Sequence, residues 1–386
     1  MDFSLSDEHQ MILDSADKIA EKYNREYILK HSKNKTFPQE MWDEMGDQGF
    51  LGISCPADYG GAGMGVTALS LLQERLAEHG VAPLYFVVNQ GIAIPVIGKH
   101  GTEEQKERWL PDMAMGTSRC CFAITEPNAG TNTFKMKSLA KADGDDFILN
   151  GSKLFISAVN HVDKMLIVAR TESYSDHENR TKGLTLFVVD VDTPGLTYDR
   201  MDTQLSGTAG QFFVYFNDVR IPKENVLGKV GKGLNVLFDS LNPERIIVAS
   251  GAVGAGRYVI KRAVDYANER IIFDKPISSY QGLQHPLAEA KALLETASLM
   301  TRKAAWAHDA GENAGEFANI AKFTAAEANF KAADAAMQVH GGYAFTESMD
   351  MLDHFIGARL GKIAPINREM NLNFIGEHIL GMPKSY

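Results

Sequence analysis

A chain of 386 residues holds material for more than one folded unit, and at 45% hydrophobic and 23% charged it has neither a disordered nor a membrane-spanning composition. Its 39 basic and 49 acidic side chains leave a formal charge of -10, which repels nucleic acid and anionic membranes, and no basic cluster reverses that locally. Two of the three cysteines, Cys120 and Cys121, are adjacent, so with Cys55 they build no disulfide framework, and a reducing, cytoplasmic setting is expected.

The opening segment, MDFSLSDEHQMILDSADKIAEKY, lacks the basic and apolar regions of a secretory signal and reads as an amphipathic helix. From Ser6 to about Leu110 apolar residues recur at three and four, as in Ile12, Ala16, Ile19 and in Leu69, Leu72, Leu76, which predicts helices. A glycine-rich loop from Cys55 to Gly65 interrupts them. Between about Cys120 and Asn225 the pattern turns to β-branched and aromatic runs such as KMLIVART and GLTLFVVDVDTPG, broken by Gly, Asn, Asp and Pro. No crossover helices separate these runs, so an antiparallel barrel or sandwich is expected. After LGKVGKG the helical period returns, clearest in Leu283, Leu287, Ala290, Leu294, Ala297, Thr301 and Ala304, and Ala-rich stretches there predict close helix packing. The expected fold class is α+β multidomain: an N-terminal helical domain over 1–118, a central β-domain over 119–227 and a helical bundle over 228–386.

Several chemistries fail on inspection. No HExxH pair, zinc-spaced Cys/His set, phosphate loop or GxSxG elbow is present, so no metal is expected. Gly251, Gly254 and Gly256 in SGAVGAG mimic a dinucleotide fingerprint but follow no strand, and read as helix packing. Five segments stand out together. CFAITEPNAGTNT runs from Cys121 to Thr133. LNGSKLFISA carries Phe155 and Ser157 and reads as a strand pair turned at Asn150–Gly151. In LNPERIIVASG, Glu244 and Arg245 read as the opening of an apolar helix, with Pro243 in its first turn. RIIFDKPISSYQ spaces Arg270, Phe273 and Gln281, and MQVHGGYAF sets Gln338 before Gly341 and Gly342. Singly, each reads as a turn, a hairpin or a solvated acid.

In this order and spacing, and with HGTEEQKERWLP at His100 to Pro111, the segments resemble the acyl-CoA dehydrogenase family of flavoenzymes over nearly the whole chain. The resemblance implies an N-terminal α-domain, a central β-domain and a C-terminal four-helix bundle, assembled as a homotetramer, a dimer of dimers, with one FAD per subunit. It implies α,β-dehydrogenation of an acyl-CoA to the trans-2-enoyl-CoA, with electrons passed to an electron-transferring flavoprotein. Phe122, Ile124, Thr125, Gly130 and Thr131 are similar to the segment that lines the flavin edge and reaches the acyl-CoA, and Phe155 and Ser157 to the pair that shields the flavin. Arg270, with Phe273 and Gln281 at matching spacing, resembles the arginine at the FAD pyrophosphate; Gln338, Gly341 and Gly342 resemble FAD contacts made across a subunit interface. Such members need one carboxylate base, and Glu244 stands where relatives like isovaleryl-CoA dehydrogenase hold theirs, with Glu369 as the runner-up. Arg245 would support the base, and Thr131, Asn242, Glu244 and Arg245 would meet the substrate.

Two departures stand out. Asp274 replaces a common family Gly, and Ile356–Gly357 replace an Arg-Asp pair, which puts a helix or subunit contact in doubt. A flavin oxidase or monooxygenase on the same fold, or a non-catalytic acyl-CoA-binding scaffold, are the alternatives.

Overall fold

The computed structural model describes residues 4–82, 84–176, 181–205 and 207–385, so the first three residues of the opening segment lie outside it. Seven helices come first: α1 (Asp7–Lys22), α2 (Arg25–Asn34), α3 (Gln39–Asp47), α4 (Gly65–Glu78), α5 (Leu84–Val88), α6 (Ile94–His100) and α7 (Glu103–Met115). Eight strands follow: β1 (Cys120–Ala123), β2 (Leu139–Asp143), β3 (Asp146–Ser157), β4 (Lys164–Arg170), β5 (Leu184–Asp190), β6 (Leu196–Arg200), β7 (Gln211–Ile221) and β8 (Val226–Leu227). Then come α8 (Gly233–Glu269), the short strands β9 (Ile271–Ile272) and β10 (Lys275–Pro276), and α9 (Gln281–Asp309), α10 (Gly315–His340), α11 (Met351–Gly361) and α12 (Arg368–Phe374). The helix–sheet–helix order is the one expected. In space the chain forms two compact units: a β unit of Leu29–Gly65 and Pro83–Glu244, and a helical unit of Met1–Ile28, Val66–Ala82 and Arg245–Tyr386.

In the β unit the strand order is β6-β7-β3-β2-β4-β5-β8, with β1 beside β4. The ladders are antiparallel except for β1·β4 and β2·β4, which are parallel. This corrects the all-antiparallel expectation. The β2–β3 hairpin lies between β1 and β4 in the chain, so β4 returns in the direction of β1 with no crossover helix between them. Burial explains the runs in β4 and β5. Leu166, Val168, Leu184, Leu186 and Val188 join a core with Ile92–Ile97 and Trp109–Ala114, while Met165, Ile167, Ala169, Phe187 and Val189 join a second core with Phe147, Leu149, Phe212 and Phe216. Strands buried on both faces read as continuous apolar runs.

The hairpin expected at Asn150–Gly151 is not a turn. β3 runs unbroken through it, and the chain reverses instead at Gly144 (φ 63°). Gly151 (φ 146°) is a bulge where the pairing with β7 shifts register, and a Cβ there would come 2.4 Å from Ser138 Oγ. The Asn150 side chain, free to start a turn in isolation, instead donates to Asp218 Oδ1 at 2.8 Å and accepts from the Asp218 amide at 3.0 Å.

In the helical unit, buried Leu287, Ala290, Leu294, Ala297, Thr301 and Ala304 of α9 keep the expected three-four step, and Ala318, Ala321, Ala325, Ala328, Ala332 and Ala335 of α10 repeat it. The glycines of α8 serve packing, as read: a Cβ on Gly254 would lie 2.1 Å from the Glu74 carbonyl oxygen of α4, and one on Gly256 2.5 Å from Leu294. Ser6 caps α1 by accepting from the His9 amide at 3.2 Å. All three cysteines are free and buried, and among the described residues no helix is long and apolar enough to cross a membrane.

Candidate functional site

The β unit brings together the first two motif segments. After β1 the chain passes Ile124 and Thr125 and turns at Glu126–Ala129, closed by reciprocal backbone bonds of 3.2 and 3.0 Å. The Leu154 amide of β3 donates to Thr125 O at 3.0 Å, so the segment carrying Phe122, Ile124 and Thr125 lies against the strand carrying Phe155 and Ser157. Gly130 and Thr131 follow on the exposed side of the turn. Phe155 (φ 57°) and Ala158 (φ 64°) take a left-handed backbone that side chains resist, at a second register shift between Lys153 and Ile156. Phe155 stays 55% exposed there, and strained backbone of this kind clusters at functional sites. Ser157 Oγ accepts from Gln211 Nε2 at 2.9 Å.

Beneath this surface lies a feature the sequence reading gave no role. Lys153 is fully buried, and its Nζ donates to Glu126 Oε1 and to the Ile124 carbonyl, each at 2.9 Å. Glu126, also buried, accepts from the Lys137 amide at 2.5 Å and the Ser138 amide at 3.0 Å. Burial pulls the Lys153 pKa down to about 8. Burial also works against ionised Glu126, yet the Lys153 charge and the Lys137 amide outweigh it and hold the carboxyl below its usual range. Both residues stand in the quoted motifs, but a lysine in a strand reads as a solvated position. Arg170 similarly ties down the loop beyond Thr131, donating to the carbonyls of Phe134, Met136 and Lys182.

Glu244 also belongs to the β unit, but not as the opening of a helix. α8 begins at Gly233, and Pro243 lies inside it. This corrects the expected start. Val236 and Leu237, with partly buried Leu241, pack on the core of the β unit, and that burial holds the first turns helical although Pro243 removes one backbone bond. Positions 237, 241 and 244 share a helical face, and Glu244 and Arg245 are both buried, with Asn242 half-buried. Glu369 differs: it lies in the first turn of α12, whose cap Asn367 accepts from the Met370 amide at 2.8 Å, and its side chain is 72% exposed.

The remaining candidates fall in the helical unit. Arg270, Gln338, Gly341 and Gly342 line one cavity of about 550 Å³, with Tyr266, His340 and Tyr343. Phe273 and Gln281 are not on its wall: both are exposed, Phe273 at 86%. Phe273 (φ 52°) and Asp274 (φ 63°) form the tip of the β9–β10 hairpin, a left-handed pair that explains why a glycine suits the position of Asp274. Gly341 (φ 57°) ends α10 with open space where a Cβ would stand. His340, which the motif reading passed over, donates from Nδ1 to Ala336 O at 2.8 Å and stacks on Tyr266 at 4.6 Å. Burial holds it below the usual histidine pKa. These residues fit FAD: a guanidinium for a pyrophosphate, unobstructed backbone at paired glycines, and in the β unit an outward phenyl for an apolar ring face.

Family models described as acyl-CoA dehydrogenase N-terminal, middle and C-terminal domains match residues 6–117, 121–219 and 231–380. The chain is 42% identical to acyl-CoA dehydrogenase FadE12 of Mycobacterium tuberculosis over 386 residues, covering 100% of this chain and 99% of that protein. It is 31% identical to the human mitochondrial short-chain specific acyl-CoA dehydrogenase, over 97% of this chain and 91% of that one. Its structure superposes on butyryl-CoA dehydrogenase from Megasphaera elsdenii with a TM-score of 0.93 at 31% identity, covering 98% of this chain and 100% of the other. The chain therefore belongs to the acyl-CoA dehydrogenase family of FAD-dependent oxidoreductases.

Proposed function

We propose that this protein dehydrogenates an acyl-CoA thioester to the trans-2-enoyl-CoA with Glu244 as base, passes the electrons to an electron-transferring flavoprotein, and works as a cytoplasmic homotetramer. The observation that carries the reading is a buried carboxylate, Glu244, in the same unit as the Phe122–Thr131 segment and the outward Phe155. Bound FAD supplies the two-electron acceptor for the hydrogen leaving Cβ. The chain's residues do the rest. Glu244 takes the α-proton onto a carboxylate oxygen as the Cα–Cβ double bond forms, and Arg245, next in sequence, is its proposed support. Asn242 and Thr131 hold the thioester, Thr125 offers polar groups to the ring edge, and Phe155 covers an apolar face. Arg270 grips the pyrophosphate. It shares one cavity with Gln338, Gly341 and Gly342, the proposed contacts across the subunit interface, which supports grouping the four at one part of the cofactor. Exposed Phe273, Tyr343 and Phe345 supply apolar area for subunit contact.

The test is anaerobic titration of the purified yellow protein with short, long and branched acyl-CoAs. Bleaching of the long-wavelength flavin band by one of them is expected, and its identity gives the substrate class. Bound flavin that no acyl-CoA bleaches would replace this reading with an oxidase or monooxygenase acting on another substrate, and protein that takes up no FAD would leave the scaffold.

A further inference from the structure

We propose that Lys153 is a positioning residue: with Glu126 it turns the Ile124–Thr125 peptide so that Thr125 presents its amide to the cofactor side instead of the interior of the β unit. The proposal rests on the flavin-lining reading of the Phe122–Thr131 segment. The argument begins with the planar trans peptide, in which the carbonyl and the following N–H point in opposite directions. The Ile124 carbonyl is held inward by Lys153 Nζ at 2.9 Å. The Thr125 N–H, across the same peptide plane, therefore faces away from Lys153. Among the described residues the half-buried Thr125 amide and hydroxyl form no hydrogen bond, although its carbonyl accepts from Leu154. A donor in such a place calls for a partner from outside the chain.

The device is built, not incidental. Lys153 is 0% exposed and Glu126 6%, and neither charge would survive burial alone. Glu126 joins Lys153 to the amides of Lys137 and Ser138, so three segments, 124–126, 137–138 and 153–157, meet at one ion pair. A well-packed apolar pair would serve stability about as well. What an apolar pair could not do is hold the Ile124 carbonyl by a directed bond.

The test compares holoenzymes. Lys153→Met alone strands the Glu126 charge and can fail to fold, so the informative variant is Lys153→Met/Glu126→Gln. The new side-chain amide oxygen can still accept from Lys137 or Ser138, while the bond to Ile124 O is lost. The expected result is a protein that melts like the wild type without FAD and still takes up FAD, with a shifted visible flavin band. Its flavin reduction by the acyl-CoA that bleaches the wild type should be slower by about tenfold to a hundredfold, at unchanged substrate affinity. A double variant whose flavin band and reduction rate per bound FAD match the wild type would overturn the proposal, whether or not its melting point moves, because the pair would then be only structural. Failure of the wild type itself to bind FAD or to be bleached would strike the proposed function instead, and is read separately in the same experiment.

Discussion

Glu244 and Glu369 differ in what an enzymatic base requires: one carboxylate is buried beside an arginine in sequence, the other points from a capped helix start into solvent. A base enclosed with its substrate can be tuned toward the working pH, whereas water levels an exposed one. Glu244→Gln is therefore expected to slow flavin reduction by acyl-CoA by about 10²–10⁴-fold with FAD still bound, and Glu369→Gln to leave it near normal, in stopped-flow measurements of both. The reverse pattern would move the base to α12. At this scale the motifs led to residues whose surroundings suit the proposed chemistry, a buried carboxylate at Glu244 and a cavity-lining guanidinium at Arg270. It passed over Lys153 because charge in a strand ordinarily marks a solvated face. Only the second side of the β unit, supplied by Glu126 and the Ile124 carbonyl, makes that lysine interior.

Elements were legible through period and misread through punctuation. The apolar steps of α9 gave its buried face, and the runs of β4 and β5 gave strands. Pro243 and Asn150–Gly151 are local signals that tertiary contacts overrode, the first by burial of Leu237 on the β-unit core, the second by the Asn150–Asp218 bonds. Glycines show the same dependence on surroundings. In α8, Gly254 touches the α4 backbone, so Gly254→Ala is expected to cost about 1–3 kcal/mol. In α11, Gly357 meets nothing within 4 Å, so Gly357→Ala is expected to stabilise by about 0.5–1 kcal/mol through helix propensity. Urea melts of the two variants beside the wild type check both signs, and midpoints that move in the same direction would refute the contrast.

At the scale of the molecule, ionised carboxylates join parts of the helical unit that are far apart in sequence. Asp350 binds Arg25 at 2.5 Å, Asp17 binds Arg75 at 2.6 Å, and Asp309 accepts from the amides of Val66 and Thr67 at 2.8 and 2.7 Å. Burial opposes the charge on Asp350, but His354 and Arg25 outweigh it and carry its pKa far below the usual range; Arg75 foremost lowers that of Asp17. A carboxylate depressed in the folded state adds stability that is present above its unfolded pKa of about 3.9 and disappears as pH falls through the folded value. The melting temperature is expected to drop steeply between about pH 4 and pH 2, and Asp350→Asn to flatten that slope while lowering stability at pH 7 by on the order of 3 kcal/mol. Calorimetry across that range is the check. Periodicity could show that α1 and α4 bury a face; it could not show that residues beyond 245 cover it, because partner choice is written in these few charges and not in the apolar pattern.

The two-sided burial of β4 has a consequence for how the chain finds its alignment. In a half-exposed strand, a slip by one residue throws oily side chains into water and is rejected at once. In MLIVA, buried on both faces, the same slip trades one core for the other and meets no such objection. Selection between alignments then falls to the polar ends, where Lys164 reaches Asp190 at 2.6 Å and buried Arg170 finds three carbonyls that only one alignment offers. Arg170 thus acts as an indexing peg for a strand whose middle would fit either way.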